Sequence, residues 1–255
     1  MNHTNILRII FLVSGLFLKL FLLSFENDEK LIFKIKYGVI TAGEASLTLS
    51  ETAYRDSISC YKITSLANTN SFFDKIYKVR DVIESIWDKD KLVSHKFTKN
   101  LKEGKYRQRR THLYYPEQNL SFYLKYSRRT KKYDQTRMDI PVNTQDILSS
   151  FYWFRLQDLE VGKTFTINVT ADGRNYPANV VVHRKEKIKT IFGKKECFVV
   201  EPILEGEAIF KQTAKIYIWL TADEYKIPIR LQSTIIFGSF KAILIDAENV
   251  PYQKK

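Results

Sequence analysis

From Leu31 onward, apolar and polar residues alternate in short runs, and this period of two restricts the chain to strands with one buried face. In the run Leu31-Ile32-Phe33-Lys34-Ile35-Lys36-Tyr37, positions 31, 33, 35 and 37 are apolar while Lys34 and Lys36 point the other way. Similar strands are predicted at 43–51, 58–66, 76–87, 91–102, 105–115 and 119–126, then at 163–171, 177–187, 190–202, 208–220, 226–236 and 239–247. Asp88-Lys89-Asp90, Glu103-Gly104 and Tyr115-Pro116-Glu117-Gln118-Asn119 interrupt the runs where hairpin connections belong. Composition agrees: 17 Phe and 15 Tyr stand against only 9 Gly and 6 Pro, a balance that favours ordered strands. The expected fold is mainly β, a large antiparallel meander.

One segment changes period. Ile147, Leu148, Phe151, Tyr152, Phe154 and Leu159 recur at helical spacing, predicting a helix over 146–159 with Asn143 or Thr144 as N-cap and Gly162 just beyond its end. The face formed by Ile147, Phe151 and Phe154 would plug the concave side of a curved sheet, and Arg155 is placed to pair with Asp146 or Asp158. A further helical turn is expected between Asn70 and Lys75. Cys60-Tyr61, Trp87, an Asp-containing turn and Gly104 are echoed in order by Cys197-Phe198, Trp219, Asp223 and Gly238. Residues 26–255 therefore read as a single domain of two related halves, about 31–126 and 163–247, joined by a helix-bearing linker. About 230 residues bury about 70% of the surface their unfolded chain exposes, so no disulfide scaffold is needed.

Residues 1–25 read as an export leader, with Arg8 ahead of a nearly unbroken apolar run from Ile9 to Phe25. The segment is either a cleaved signal peptide or an uncleaved N-terminal anchor, because Lys19 interrupts the run and a small-x-small cleavage site is lacking. Lipoprotein processing is excluded, since the first cysteine is Cys60. The expected location is the periplasm or cell envelope. Cys60 and Cys197 fall on equivalent strands of the two halves, too far apart to bridge, and are expected to be free thiols.

The formal charge of +13 is concentrated between Lys99 and Arg137, where twelve Lys and Arg residues face only Glu103, Glu117 and Asp134. Export removes nucleic acid as the counterpart and leaves anionic lipid, lipopolysaccharide or acidic polysaccharide. Arg107, Arg109, Arg110, Arg128, Arg129, Lys131 and Lys132 form the candidate patch, which pairing of 105–115 with 119–126 would gather at one end or face of a hairpin. The plainer alternative is a solvated face that discourages edge pairing. Basic strands also argue against a membrane-spanning barrel, whose lipid-facing side must be apolar.

Catalytic and metal chemistry fail on spacing. His95, His112 and His183 are isolated, and the chain lacks a Cys-x-x-Cys pair, a Gly-x-Ser-x-Gly elbow and a glycine-rich phosphate loop. Asp88 and Asp90 lie in a turn, where Asp serves the backbone. No catalytic residue, metal or cofactor is assigned, and the reading is non-enzymatic.

Lys36-Tyr37-Gly38-Val39-Ile40-Thr41-Ala42-Gly43-Glu44-Ala45, the segment from Asp146 to Arg155, and Gly238-Ser239-Phe240-Lys241-Ala242 together resemble an exported bacterial family known as domain of unknown function 3108. Phe72-Phe73-Asp74, Arg80-Asp81 and Glu103-Gly104 lie between them in the same order. The resemblance implies a large curved antiparallel sheet or half-barrel with one helix packed on it, similar to the half-barrels of periplasmic lipoprotein carriers. It brings no activity with it. Gly38 and Gly43 suit a bend or bulge in such a sheet. The expected function is binding or shielding of an apolar or amphiphilic ligand. The alternative is a structural or assembly factor for the outer envelope that holds acidic polysaccharide or protein.

Overall fold

A computed structural model describes Phe25 and residues 28–204, 215–235 and 238–254. The described residues form strands β1 (Glu29–Tyr37), β2 (Ile40–Tyr54), β3 (Ile58–Thr69), β4 (Arg80–Asp88), β5 (Ser94–Glu103), β6 (Tyr106–Tyr115), β7 (Leu120–Ser127) and β8 (Lys132–Asp139). They continue with β9 (Thr164–Ala171), β10 (Arg174–Thr190), β11 (Gly193–Leu204), β12 (Lys215–Thr221), β13 (Pro228–Ile235) and β14 (Gly238–Glu248). One short helix, α1 (Ser71–Asp74), follows β3, and α2 (Ile147–Arg155) lies between β8 and β9. All strands belong to one curved antiparallel sheet in the order β8-β7-β6-β5-β4-β3-β2-β1-β14-β13-β12-β11-β10-β9. Apart from β8 and β9, strands that follow one another in sequence are paired, and the first strand meets the last through pairs such as Leu31 with Ala247 and Tyr37 with Phe240. The first and last strands thus lie mid-sheet, with β8 and β9 at its edges.

The expected curved antiparallel sheet with one packed helix is the observed architecture, with two adjustments. The sequence reading omits β8 and assigns its residues to the linker. Its side chains are almost all exposed, so Lys132-Tyr133-Asp134-Gln135-Thr136-Arg137 carries no apolar alternation to read, and backbone pairing with β7 alone makes it a strand. The helix is also shorter than predicted, covering 147–155. Asp146 caps it in place of Asn143 or Thr144, accepting from the backbone N–H of Leu148 and Ser149 at 2.8 and 2.9 Å. The predicted leader up to residue 24 and positions 208–214 of the strand predicted over 208–220 lie outside the described residues.

The helix bridges the two halves of the sheet. Phe154 packs among Ile167, Val169, Val180, Val182, Phe198, Val200 and Leu220 of β9–β12. Tyr152 packs among Leu49, Tyr61, Ile63 and Trp87 of β2–β4. Burial of large apolar side chains at about 1.5–3 kcal/mol each makes this double docking the dominant force on the helix. Phe25, the last residue of the predicted leader, stands edge-on to Tyr152 with ring centroids 5.0 Å apart.

Candidate functional site

Both ends of α2 are held by buried polar groups, and that fixes which face looks into the barrel. At its start, the second carboxylate oxygen of Asp146 accepts from the hydroxyls of Ser85 (2.6 Å) and Ser94 (2.8 Å), so β4 and β5 locate the helix N-terminus. Burial pushes the Asp146 carboxyl upward in pKa, against the opposing hydrogen bonds from Ser85, Ser149, Ser94 and Leu148. At its end, Arg155 makes a two-pronged bond to Glu29 at 2.7 and 2.8 Å, with Tyr152 Oη donating to the same carboxylate at 3.1 Å. This replaces the predicted pairing of Arg155 with Asp146 or Asp158. Asp146 is consumed by the cap, whereas Glu29 at the start of β1 is carried under the guanidinium by the curl of the sheet.

Held in this way, Ile147, Ser150, Phe151 and Phe154, at positions i, i+3, i+4 and i+7, roof a cavity of about 390 Å³. Its walls are Ile167, Val169, Tyr176, Ala178, Val180, Val200, Pro202, Ile216 and Ile218, supplied by β9–β12. The polar groups converge at one side, where Lys99 and Asp172 face the apolar space. Pockets of a few hundred Å³ with apolar walls and few polar groups are the usual form of a small-molecule site.

Asp172 also closes the barrel. The edge strands β8 and β9 are not paired with each other. Instead the two-residue turn Asp172-Gly173, with φ of +51° and +79°, inserts against the inner face of β5–β7. Lys99 Nζ bonds Asp172 at 2.7 Å and Arg110 Nη1 bonds it at 2.9 Å. Burial alone would raise the Asp172 carboxyl; these two cations outweigh it and hold the pKa below the ordinary value. Gly173 N–H donates to Nε2 of His112 at 3.0 Å, so that nitrogen is unprotonated, and Nδ1–H donates to Ser121 Oγ at 3.0 Å. Burial drives the His112 pKa down to about 4, consistent with this neutral tautomer. A Cβ at Gly173 would lie 2.9 Å from the Tyr123 ring, so both φ and space call for glycine there. Tyr114 Oη donates to the Thr170 carbonyl at 2.6 Å, and Gln145 exchanges backbone bonds with Asn168 and Thr170 at 2.8 Å. The seam is therefore a latch of side chains and one short parallel bridge.

The residues of the basic patch divide between two surroundings. The β5–β6 and β7–β8 turns lie at the same end, which brings Arg107 toward Arg128, Arg129, Lys131 and Lys132. Arg109 faces outward over the Tyr126 ring at 5.5 Å. Arg110 is on the inner face, held by Asp172, and does not share their surface. Sequence reasoning named none of the cavity residues as a site and missed the latch. The one available signal was the Asp172-Gly173 dipeptide between two strand patterns, a hairpin-turn signature.

A second cleft, of about 470 Å³, lies between the β2–β3 and β4–β5 turns and the segment 114–118. Several of its polar groups are engaged with one another. His95 Nε2 is 2.9 Å from Asp88, the other Asp88 oxygen accepts from the N–H of Asp90 and Lys91, and Arg55 lies over both Tyr54 and Tyr115. The apolar cavity is accordingly the stronger candidate. Cys60 and Cys197 are buried and form no disulfide, and burial raises their thiols to about 11 and 12. Among the described residues no cluster of three His, Cys, Asp or Glu side chains is arranged for a metal, and no helix is long and apolar enough to cross a membrane.

A mainly-β, barrel-like protein roofed by one helix is the class that this fold and cavity define. Residues 32–245 match DUF3108, a protein of unknown function, and the chain belongs to that family. Among solved structures it is similar to a beta-barrel-like protein of domain of unknown function DUF1849 from Brucella abortus. That likeness has a TM-score of 0.59 and 11% identity, covering 89% of this chain and 99% of the other. It is also similar to a putative exported protein with YmcC-like fold from Bacteroides fragilis, with 8% identity over 88% of this chain and 97% of the other, at a TM-score of 0.35. The first likeness supports the fold; the second is too weak to carry an argument. No curated protein matches the sequence.

Proposed function

We propose that this protein is an exported, non-enzymatic envelope protein that holds an apolar or amphiphilic ligand, an acyl chain or glycolipid, in the cavity beneath α2. The observation that carries this reading is the cavity wall, built by aliphatic and aromatic side chains from the helix and four strands, with Lys99 and Asp172 as the polar pair beside it. An aliphatic chain gains about 0.8 kcal/mol per buried CH₂ in such a space, and an anionic headgroup would compete with Asp172 for Lys99. The leader, with Arg8 before the run from Ile9 to Phe25, supports export.

The test is native mass spectrometry of protein purified from its own envelope, together with titration of the delipidated protein with a fluorescent fatty acid. A co-purifying lipid mass and saturable uptake are expected. Ala178→Phe, which places a ring in the cavity, should weaken uptake at least tenfold while leaving the fold intact by circular dichroism. Absence of both the lipid mass and uptake, or equal uptake by the filled variant, would overturn the proposal.

A further inference from the structure

The end of the barrel away from the pinned helix termini gathers exposed apolar side chains on successive turn tips. Backbone bonds make this end one continuous rim. Gly38 N–H bonds the Ser239 carbonyl, Asn70 N–H bonds the Ala42 carbonyl, and Gly104 N–H bonds the Lys78 carbonyl. On these tips stand Val39 (87% exposed), Ile40, Phe72 (60%), Ile76 (67%), Tyr106 and Phe240, which make up a large share of the exposed large hydrophobics among the described residues. The opposite end, where Arg155 meets Glu29 and the helix cap meets Ser85 and Ser94, lies about 27 Å away at ~3.3 Å per strand residue along β1.

The same rim is predominantly cationic, although Asp81 and Glu103 stand together beside the turn at Gly104. Lys75, Lys78, Lys105, Arg107, Arg128, Arg129 and Lys131 are exposed on or beside these turns, and none forms an ion pair among the described residues. Asp74, the acidic residue of α1, is occupied by Arg80 at 2.6 Å. Scattered single apolar side chains are ordinary on a protein surface, but a cluster at one end interleaved with cations is not. The cavity extends toward this rim. Pro202 and Ile216 lie near the ends of β11 and β12 on that side, since Lys215 pairs with Thr234 and β13 turns back toward Ser239 and Gly38.

We propose that this rim docks on an anionic lipid bilayer, with the turn tips at 39–40, 72–76 and 106 entering the headgroup–acyl boundary and the Lys and Arg side chains at phosphate level. Two features favour a bilayer over a protein partner. The apolar groups stand on separate turns and not on one continuous face, and the tips at 72–76 and 106 carry Lys75, Lys78, Lys105 and Arg107, cations that suit phosphate and not a hydrophobic interface core. Tyr106 brings an apolar ring and a polar hydroxyl, the combination that settles at a membrane interface. Docking in this pose turns the Pro202 and Ile216 side of the cavity toward the lipid. The inference stands on the rim residues alone and does not require the cavity to hold a ligand.

The test uses the buried, unreactive state of Cys60 and Cys197. An environment-sensitive fluorophore is attached to Ile76→Cys at the rim and, separately, to Val161→Cys toward the helix end. With vesicles containing phosphatidylglycerol, the label at position 76 should brighten several-fold and be quenched by nitroxide on the acyl chain, while that at 161 should not change. Neutral vesicles should give at least tenfold weaker association, and salt should weaken binding to the anionic ones. Ile40→Asp with Phe72→Asp, both exposed at the rim, should reduce sedimentation with anionic vesicles at least tenfold without altering the circular dichroism. No brightening at 76, equal brightening at both positions, or undiminished sedimentation of the double variant would overturn docking by this rim. Binding to a soluble acidic polysaccharide that matches vesicle binding and is untouched by the Asp variant would do the same.

Discussion

His112 is the residue at which burial and hydrogen bonding define a pH limit. Its Nε2 accepts from Gly173 and so is bare in the folded chain, with a pKa near 4, whereas the free side chain titrates near 6.5. The folded pKa is the lower one, so between about pH 6.5 and 4 the unfolded chain binds a proton that the folded chain does not. Stability therefore falls as pH drops through that window, by about 3 kcal/mol in all. Urea unfolding measured from pH 7 to 4 should show this slope, and His112→Gln, which keeps an acceptor for Gly173 but does not titrate, should flatten it. Asp172 acts in a lower window: its carboxyl is held below normal, so its contribution is present above the ordinary Asp pKa of about 3.9 and is lost as pH falls through its folded value. A second residue-scale prediction concerns the buried pair. Arg155→Met leaves Glu29 buried without its partner and should cost about 3–5 kcal/mol, while adding Glu29→Leu should recover much of that loss. A double-mutant cycle by chemical denaturation measures both.

At the scale of elements, the legible strands are those with one face buried. β1 alternates because Leu31 and Phe33 are buried while Lys30 and Lys34 are not, and every such strand leaves a period of two. β8 leaves none because it lies at the edge with both faces wet. The helix was legible from the spacing of Ile147, Phe151 and Phe154, but its cap was not. Asp146 caps through Oδ1, with Ser149 reciprocating, and its other oxygen is held by Ser85 and Ser94, some fifty to sixty residues earlier, a contribution that no local pattern carries. Arg155 was noticed, but its partner Glu29 lies 126 residues away. The site was illegible for the same reason: Ala178, Val200 and Ile218 read as ordinary strand interior until curvature sets them around a space. One elemental prediction follows from the capping. Asp146→Ala removes the acceptor for four donors and strands the buried Ser85 hydroxyl, while Ser94 keeps Ser149 Oγ, so the cost should exceed the roughly 1 kcal/mol of an exposed cap and reach about 2–4 kcal/mol. Thermal unfolding of this variant beside Ser150→Ala, whose hydroxyl bonds the Ile147 carbonyl, provides the comparison.

In the whole molecule, the two halves are joined in different ways at their two meetings. β1 and β14 meet through a ladder of backbone bonds in mid-sheet, while β8 and β9 approach across a seam closed by Asp172, Gly173, His112, Tyr114 and Gln145. Strand ladders open only with large parts of the sheet, but a side-chain latch can release alone, which places the low-stability region at the seam. The cavity is bounded by β9 and β10 on that side, so opening the seam would widen it without unfolding the rest. Hydrogen exchange should thus be fastest, among hydrogen-bonded amides, in 144–146 and 168–175, and slow in β1, β2 and β14. Asp172→Asn with Gly173→Val removes the charge that two cations hold and drives a side chain into the Tyr123 ring at a positive φ. In that variant exchange at the seam should accelerate at least tenfold, exchange in β1 and β14 should stay near its original rate, and a fluorescent fatty acid held in the cavity should dissociate faster. Acceleration spread evenly over the sheet would mean that the latch is part of the global fold and that the barrel has no separate seam to open.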